Sequence, residues 1–194
     1  LIEAYTVLYK ASGDGVVAGR LEFLLSQMSD KVFDPQTNAL KVFFDTTLSV
    51  IGDIHSYGHD IEATWLMDRA CDVLGDEALI KEFAEMNLKI SRNIQKIALD
   101  NGGLNNERDN DKIDKTRIWW VQAETVVGFI NGYQKTGNTQ YLEAASSVWN
   151  FIKENLIDKR SGYSAGREWY WRVSKDGVPD DTQPIVEPWK CPYH

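Results

Sequence analysis

Three glycines, Gly13, Gly75 and Gly137, stand 62 residues apart, each closing a similar run: YTVLYKASGD, RACDVLGD and NGYQKTGN. A repeat of this length constrains the fold strongly, because each unit buries its apolar face only against its neighbours. Each glycine falls where a helix end needs a left-handed residue, and Asp14, Asp76 or Asn138 follows in the place of an N-cap. That is the punctuation of an αα-hairpin. The runs after the turns, VVAGRLEFLLSQM, EALIKEFAEMNLKISRNIQKIAL and TQYLEAASSVWNFIKENLI, carry apolar residues at helical spacing. Three hairpins account for most of the chain, and the expected fold class is all-α.

Between the hairpins lie three long stretches: FDPQTNALKVFFDTTLSVIGDIHSYG, DNGGLNNERDNDKIDKTRI and SGYSAGREWYWRVSKDGVPDDTQPIVEPW. Connections of this length in a compact domain are usually functional or partly stranded. KVFFD and EWYWRV have the β-branched and aromatic content of strands, so short β-ribbons are expected in the loops. Hairpins set around an axis build an open solenoid or a closed toroid. The aromatic-rich loops favour the toroid, whose mouth they would line.

Hydrophobic residues make up 43% and charged residues 26%, enough to bury a core and too apolar for disorder. The formal charge of -8 excludes nucleic acid as a partner, since no cluster of Lys and Arg is present to neutralise phosphates. No segment reaches the roughly 18 apolar residues of a membrane span, and the N-terminal run is an amphipathic helix, not a leader. Cys71 and Cys191 lie far apart without metal-ligand spacing, which fits a reduced, cytoplasmic protein with no metal. No glycine-rich phosphate loop or Schiff-base lysine context is found, so no cofactor is expected.

Three constellations could carry chemistry. In SYGHDIEATW, His59, Glu62 and Trp65 recur at helical spacing and project from one face. Such a histidine can transfer protons near neutral pH, or it can simply cap the turn while Asp60 and Glu62 complement the helix dipole. In RIWWVQAET, Glu124 lies one repeat after Glu62, and of the adjacent Trp119 and Trp120 at most one can line a site, the core being the other fate. In EPWKCPYH, prolines stiffen a segment that presents Trp189 and His194. His55 is a loop residue with a structural or outer role. Indole faces beside carboxylates and imidazoles suit a sugar ring.

Together SYGHDIEATW, WWVQAE and WKCPYH, in this order and in register with the repeat, resemble the motifs of the cellobiose 2-epimerase and N-acylglucosamine 2-epimerase family. The resemblance runs over essentially the whole chain. It implies an (α/α)6 barrel, of which residues 1–194 are the C-terminal part of a single catalytic domain. It places the catalytic histidines on His59 and His194, active-site carboxylates on Glu62 and Glu124, and sugar-facing indoles on Trp65, Trp120 and Trp189. It implies an arginine and a further histidine from an N-terminal half outside this sequence.

The DIE after His59 and the closing WKCPYH favour the cellobiose 2-epimerase side, hence a disaccharide with a reducing-end glucose. Inversion at C2 would proceed by ring opening and an enediolate, with one imidazole on each face. N-acylglucosamine epimerisation or mannose isomerisation would use the same scaffold. A glycoside hydrolase would instead use Asp60, Glu62 or Glu124 as acid and base, and a helical-repeat binding module would need no site. In a half-toroid the lateral faces, read as Leu1, Tyr5, Leu8, Val126, Phe129 and Ile130, would stand uncovered.

Overall fold

The computed structural model describes residues 1–160, 168–184 and 186–190. Six α-helices among these residues pair into three hairpins. They are α1 (Ile2–Ser12) with α2 (Gly15–Gln27), α3 (Tyr57–Leu74) with α4 (Glu77–Ile97), and α5 (Trp119–Thr136) with α6 (Thr139–Phe151). Each hairpin turn is made as the repeat predicts. Gly13, Gly75 and Gly137 have φ of 64°, 74° and 70°, a left-handed backbone that a Cβ disfavours. Asp14, Asp76 and Asn138 then accept the N–H groups of Val16, Ala78 and Gln140 and cap the second helix.

The hairpins form two layers. α3 packs against α1 on one side and α5 on the other, while α2, α4 and α6 each back their own partner. α1, α3 and α5 are therefore inner helices and the other three an outer ring. Leu21, Ile61, Phe83, Ile90, Phe129 and Tyr141 lie in the core cluster shared by the two layers. Each such side chain contributes on the order of 1.5–3 kcal/mol by leaving water. A second cluster, including Trp119, Val148, Leu156 and Tyr170, joins the third hairpin to the chain beyond it. α3 and α5 approach closely at a glycine: a Cβ on Gly128 would lie 2.6 Å from Ile61 Cγ1 and 2.8 Å from the Ile61 carbonyl oxygen.

The connections hold β-ribbons, as expected in kind and only partly in place. β1 (Phe33–Asp34) pairs antiparallel with β2 (Ala39–Leu40), β4 (Leu99–Asp100) with β5 (Gly103–Leu104), and β8 (Arg117–Ile118) with β9 (Arg172–Val173). β3 (Ile54–Ser56), β6 (Glu107–Asp109) and β7 (Lys112–Asp114) form a sheet in the order β3-β6-β7. KVFFD contributes an isolated bridge, Phe44 to Val50, and EWYWRV pairs through β9 and a bridge from Trp169 to Ile157. The stretch DNGGLNNERDNDKIDKTRI carries most of the strands. Asn101-Gly102, with φ of 48° and 82°, makes a two-residue hairpin loop, and Asn110 at φ 50° turns β6 into β7.

Two further differences from the sequence reading follow from packing. α2 and α6 do not run on as single helices but widen into π-helical turns, Met28–Val32 and Ile152–Leu156, before the chain extends. Of the residues read as lateral, Leu1 and Leu8 are 86% and 50% exposed, but Phe129 is fully buried and stacks on Tyr141 with ring centroids 6.1 Å apart. Phe129 therefore belongs to the core within these hairpins. No helix of the described residues is long and apolar enough to cross a membrane.

Candidate active site

α3 and α5 run side by side in the same direction, from Gly58 against Trp120 at one end to Asp72 bonded to Lys135 at the other. Positions 59, 62 and 65 form one stripe of α3, as their spacing requires. The His59 ring is tilted over Trp120 with centroids 4.9 Å apart. A Cβ on Gly58 would lie 2.8 Å from Trp120 Cη2, so the glycine gives this indole its place beside His59. Two turns further along, Trp65 Nε1 donates to Glu124 Oε2 at 2.7 Å. Trp119, by contrast, is buried in the second core cluster.

Glu62 lies between these two contacts. Burial raises its carboxyl to about 7, and the nearby carboxylates of Glu124 and Glu3 act in the same direction. Glu3, Glu62 and Glu124 thus bring one carboxyl from each of the three inner helices to the same region. A carboxyl that titrates near 7 can give or take a proton at neutral pH, where an ordinary glutamate only accepts. Beyond Trp65 the α3–α5 surface continues as a groove of ≈ 420 Å³ past Val126 and Ile130 to Gln134.

The structure brings His59, Glu62, Trp65, Trp120 and Glu124 into this one stripe. His194 lies outside the described residues, as does Cys191. Trp189 is 83% exposed. Its neighbour Lys190 is buried, with Nζ 2.9 Å from Glu168 Oε2 and 5.6 Å from the Trp119 ring centre, and so ties this segment to the start of α5. Cys71 is buried, and desolvation pushes its thiol up to about 12, which leaves it unreactive.

Several residues of the region are not legible in the sequence. Asp60 does not merely complement the helix dipole: it is buried, its Oδ2 lies 2.6 Å from His55 Nε2, and its Oδ1 accepts the Leu40 N–H at 3.1 Å. Burial raises the Asp60 carboxyl and the His55 contact opposes that rise. His55 sits in β3, not in a free loop, edge-on to Tyr57. The pair spans a strand-to-helix junction, for which no periodicity gives a signal. Ser56 Oγ lies 2.7 Å from His59 Nδ1, three positions before it, a spacing that resembles a capping box.

Two layers of helices in hairpins, with a polar stripe on the inner layer, define the chain as a segment of an α/α toroid. The chain belongs to the N-acylglucosamine 2-epimerase (GlcNAc 2-epimerase) family, whose sequence model matches residues 1–194. It is 67% identical over its whole length to a cellobiose 2-epimerase of Ruminococcus albus and 45% identical to one of Dictyoglomus turgidum, covering 49% of each. The chain thus spans about half the length of the curated relatives it matches. The crystal structure of a sugar epimerase from a ruminal bacterium superposes with a TM-score of 0.96 at 67% identity, over 100% of this chain and 49% of that one. The three hairpins are about half of the (α/α)6 barrel of the cellobiose 2-epimerases.

Proposed function

We propose that residues 1–194 form the C-terminal half of the single catalytic barrel of a sugar 2-epimerase that acts on a cellobiose-like disaccharide. The observation that carries this reading is the 67% identity with a cellobiose 2-epimerase along the entire chain. The arrangement of the stripe supports it. Trp65 and Trp120 offer indole faces to a sugar ring, and Trp189 is assigned the same role from its motif. Glu62 donates a proton to the ring oxygen as the C1–O5 bond breaks, and the carboxylate so formed takes the proton of the C1 hydroxyl as the aldehyde forms, a role that suits a carboxyl near 7. Glu124 holds a sugar hydroxyl from its place beside Trp65.

Once the ring is open, the C2 proton lies next to an aldehyde. One of His59 and His194 takes it, and the electron pair of the C2–H bond moves into an enediolate. The other imidazole returns a proton to the opposite face, which inverts C2. Each acid or base of this type contributes a factor on the order of 10²–10⁴. The test uses the full-length protein that carries these residues, incubated with cellobiose in deuterated water. The wild type should incorporate deuterium at C2 and accumulate the mannose-configured disaccharide, and His59→Asn and His194→Asn should lose both. Full exchange in either variant would remove that histidine. Release of free glucose in place of epimerisation would point to a glycoside hydrolase.

A further inference from the structure

Ser56 is the N-cap residue of α3, with extended φ and ψ of -89° and 103°, yet its side chain makes no capping hydrogen bond. An N-cap serine ordinarily accepts the N–H of the second or third helical residue. The outer helices α2, α4 and α6 all obey that rule through Asp14, Asp76 and Asn138. Ser56 instead turns its hydroxyl to the imidazole of the third helical residue, His59, at 2.7 Å from Nδ1. The serine is itself buried, and its backbone is fixed by antiparallel pairing with Glu107 in the β3–β6–β7 sheet. His59 is exposed and rests on Trp120. A rigid, buried hydroxyl thus holds an exposed ring.

We infer that Ser56 is a positioning residue that holds His59 through Nδ1 and assigns proton transfer to Nε2. This rests on the epimerase reading above only for the identity of the proton carried. A neutral hydroxyl suits a group that must both take and release a proton. In the base form, Nδ1–H donates to Ser56 Oγ and Nε2 accepts; after transfer, Nε2 carries the new proton and the Nδ1–H···Oγ bond is unchanged. Ser56 itself neither gains nor loses a proton. A carboxylate at the same place would favour the charged imidazole and oppose proton return. That second arrangement is present four residues away in this same segment, where buried His55 faces Asp60 at 2.6 Å.

The experiment compares wild type with Ser56→Ala, Ser56→Thr and Ser56→Gly in the full-length protein. Glycine is tolerated at N-caps and so guards against a variant that fails to fold. In Ser56→Ala and Ser56→Gly, kcat for cellobiose epimerisation should fall about tenfold to a hundredfold, the effect of losing one hydrogen bond to a group that becomes charged. KM should change less than about threefold, as for an interaction outside ground-state binding. Ser56→Thr, which keeps the hydroxyl, should recover most of kcat. Nitrogen-15 NMR of the imidazole supplies a readout that needs no turnover: neutral His59 should carry its proton on Nδ1 in wild type and shift toward Nε2–H in Ser56→Ala. An unchanged tautomer or an unchanged kcat in Ser56→Ala overturns the inference, as does a folded Ser56→Thr as slow as alanine. A wild type without epimerase activity but with a Ser56-dependent tautomer would sink the epimerase reading alone.

Discussion

Asp60 and Gln122, one repeat apart on α3 and α5, grip the same place in two successive ribbons. Asp60 Oδ1 accepts the Leu40 N–H at 3.1 Å and Gln122 Oε1 accepts the Leu104 N–H at 2.8 Å. Their second polar atoms differ in use: Gln122 Nε2 donates to Leu104 O at 2.8 Å, whereas Asp60 Oδ2 faces His55. Leu40 and Leu104 lie in β2 and β5, the strands that return the chain after α2 and α4. α3 and α5 therefore each clamp the ribbon that leaves the hairpin before them.

Gln122→Leu keeps the volume but leaves the buried Leu104 N–H and C=O without their side-chain partner. Each buried polar group so orphaned costs about 1–3 kcal/mol. The variant should lose about 2–5 kcal/mol in urea denaturation of the full-length protein. A loss near zero would mean that the ribbon is held by other contacts.

Two helical glycines should respond oppositely to alanine. On α2, nothing lies within 4 Å of the place a methyl on Gly19 would take, so Gly19→Ala should stabilise by up to about 1 kcal/mol through helix propensity. On α5, the methyl of Gly128→Ala would meet the Ile61 backbone at 2.8 Å, which cannot give way without parting α3 from α5. A net destabilisation of about 1–3 kcal/mol is expected. Paired thermal melts decide, and the same sign at both sites would contradict the close approach.

The repeat makes the hairpins legible because helix termination is local chemistry: Gly75 and Asp76 fix a turn with no help from elsewhere. The same holds for the spacing that puts His59, Glu62 and Trp65 on one stripe. What stays hidden depends on partners in other elements of the fold. Asp60 reads as a helix-dipole residue until Leu40 and His55 are seen around it, and Phe129 reads as lateral until Tyr141 covers it. Of the described residues of WKCPYH, the charged Lys190 is buried and the apolar Trp189 exposed, the reverse of what their side chains suggest, because Glu168 and Trp119 lie beside the ammonium. The Asn101-Gly102 hairpin is a local signal, obscured only by the polar composition around it.

Trp65 donates to Glu124 and is the ring face we propose for the sugar, and Trp65→Phe separates the two. The phenyl ring keeps most of the apolar surface but removes the N–H that meets Glu124 Oε2 at 2.7 Å. Loss of that bond to a buried carboxyl should cost about 1–3 kcal/mol of stability. In a double-mutant cycle with Glu124→Gln, the two changes should couple by at least about 0.5 kcal/mol. Additive effects would mean that the contact contributes nothing.

Glu62 gives the stripe a pH dependence whose sign can be worked out. Its folded carboxyl titrates near 7 because of burial first and the carboxylates of Glu124 and Glu3 second, against an ordinary value of 4.5. Between about 4.5 and 7 the folded chain therefore holds a proton that the unfolded chain has released. Stability from this group is fully present below 4.5 and falls as pH rises through 7. Glu62→Gln imitates the protonated form at every pH. It should match the wild type near pH 4.5 and exceed it at pH 8 by about 1–3 kcal/mol, a range that allows for solvent screening of a half-buried group. Burial also raises Asp60 and Asp68, but both are present in the two proteins and cancel in the difference. Urea denaturation of wild type and Glu62→Gln at pH 4.5, 6 and 8 tests this directly. A difference that does not grow with pH would show that Glu62 is ionised throughout and is no proton donor to the opening sugar ring.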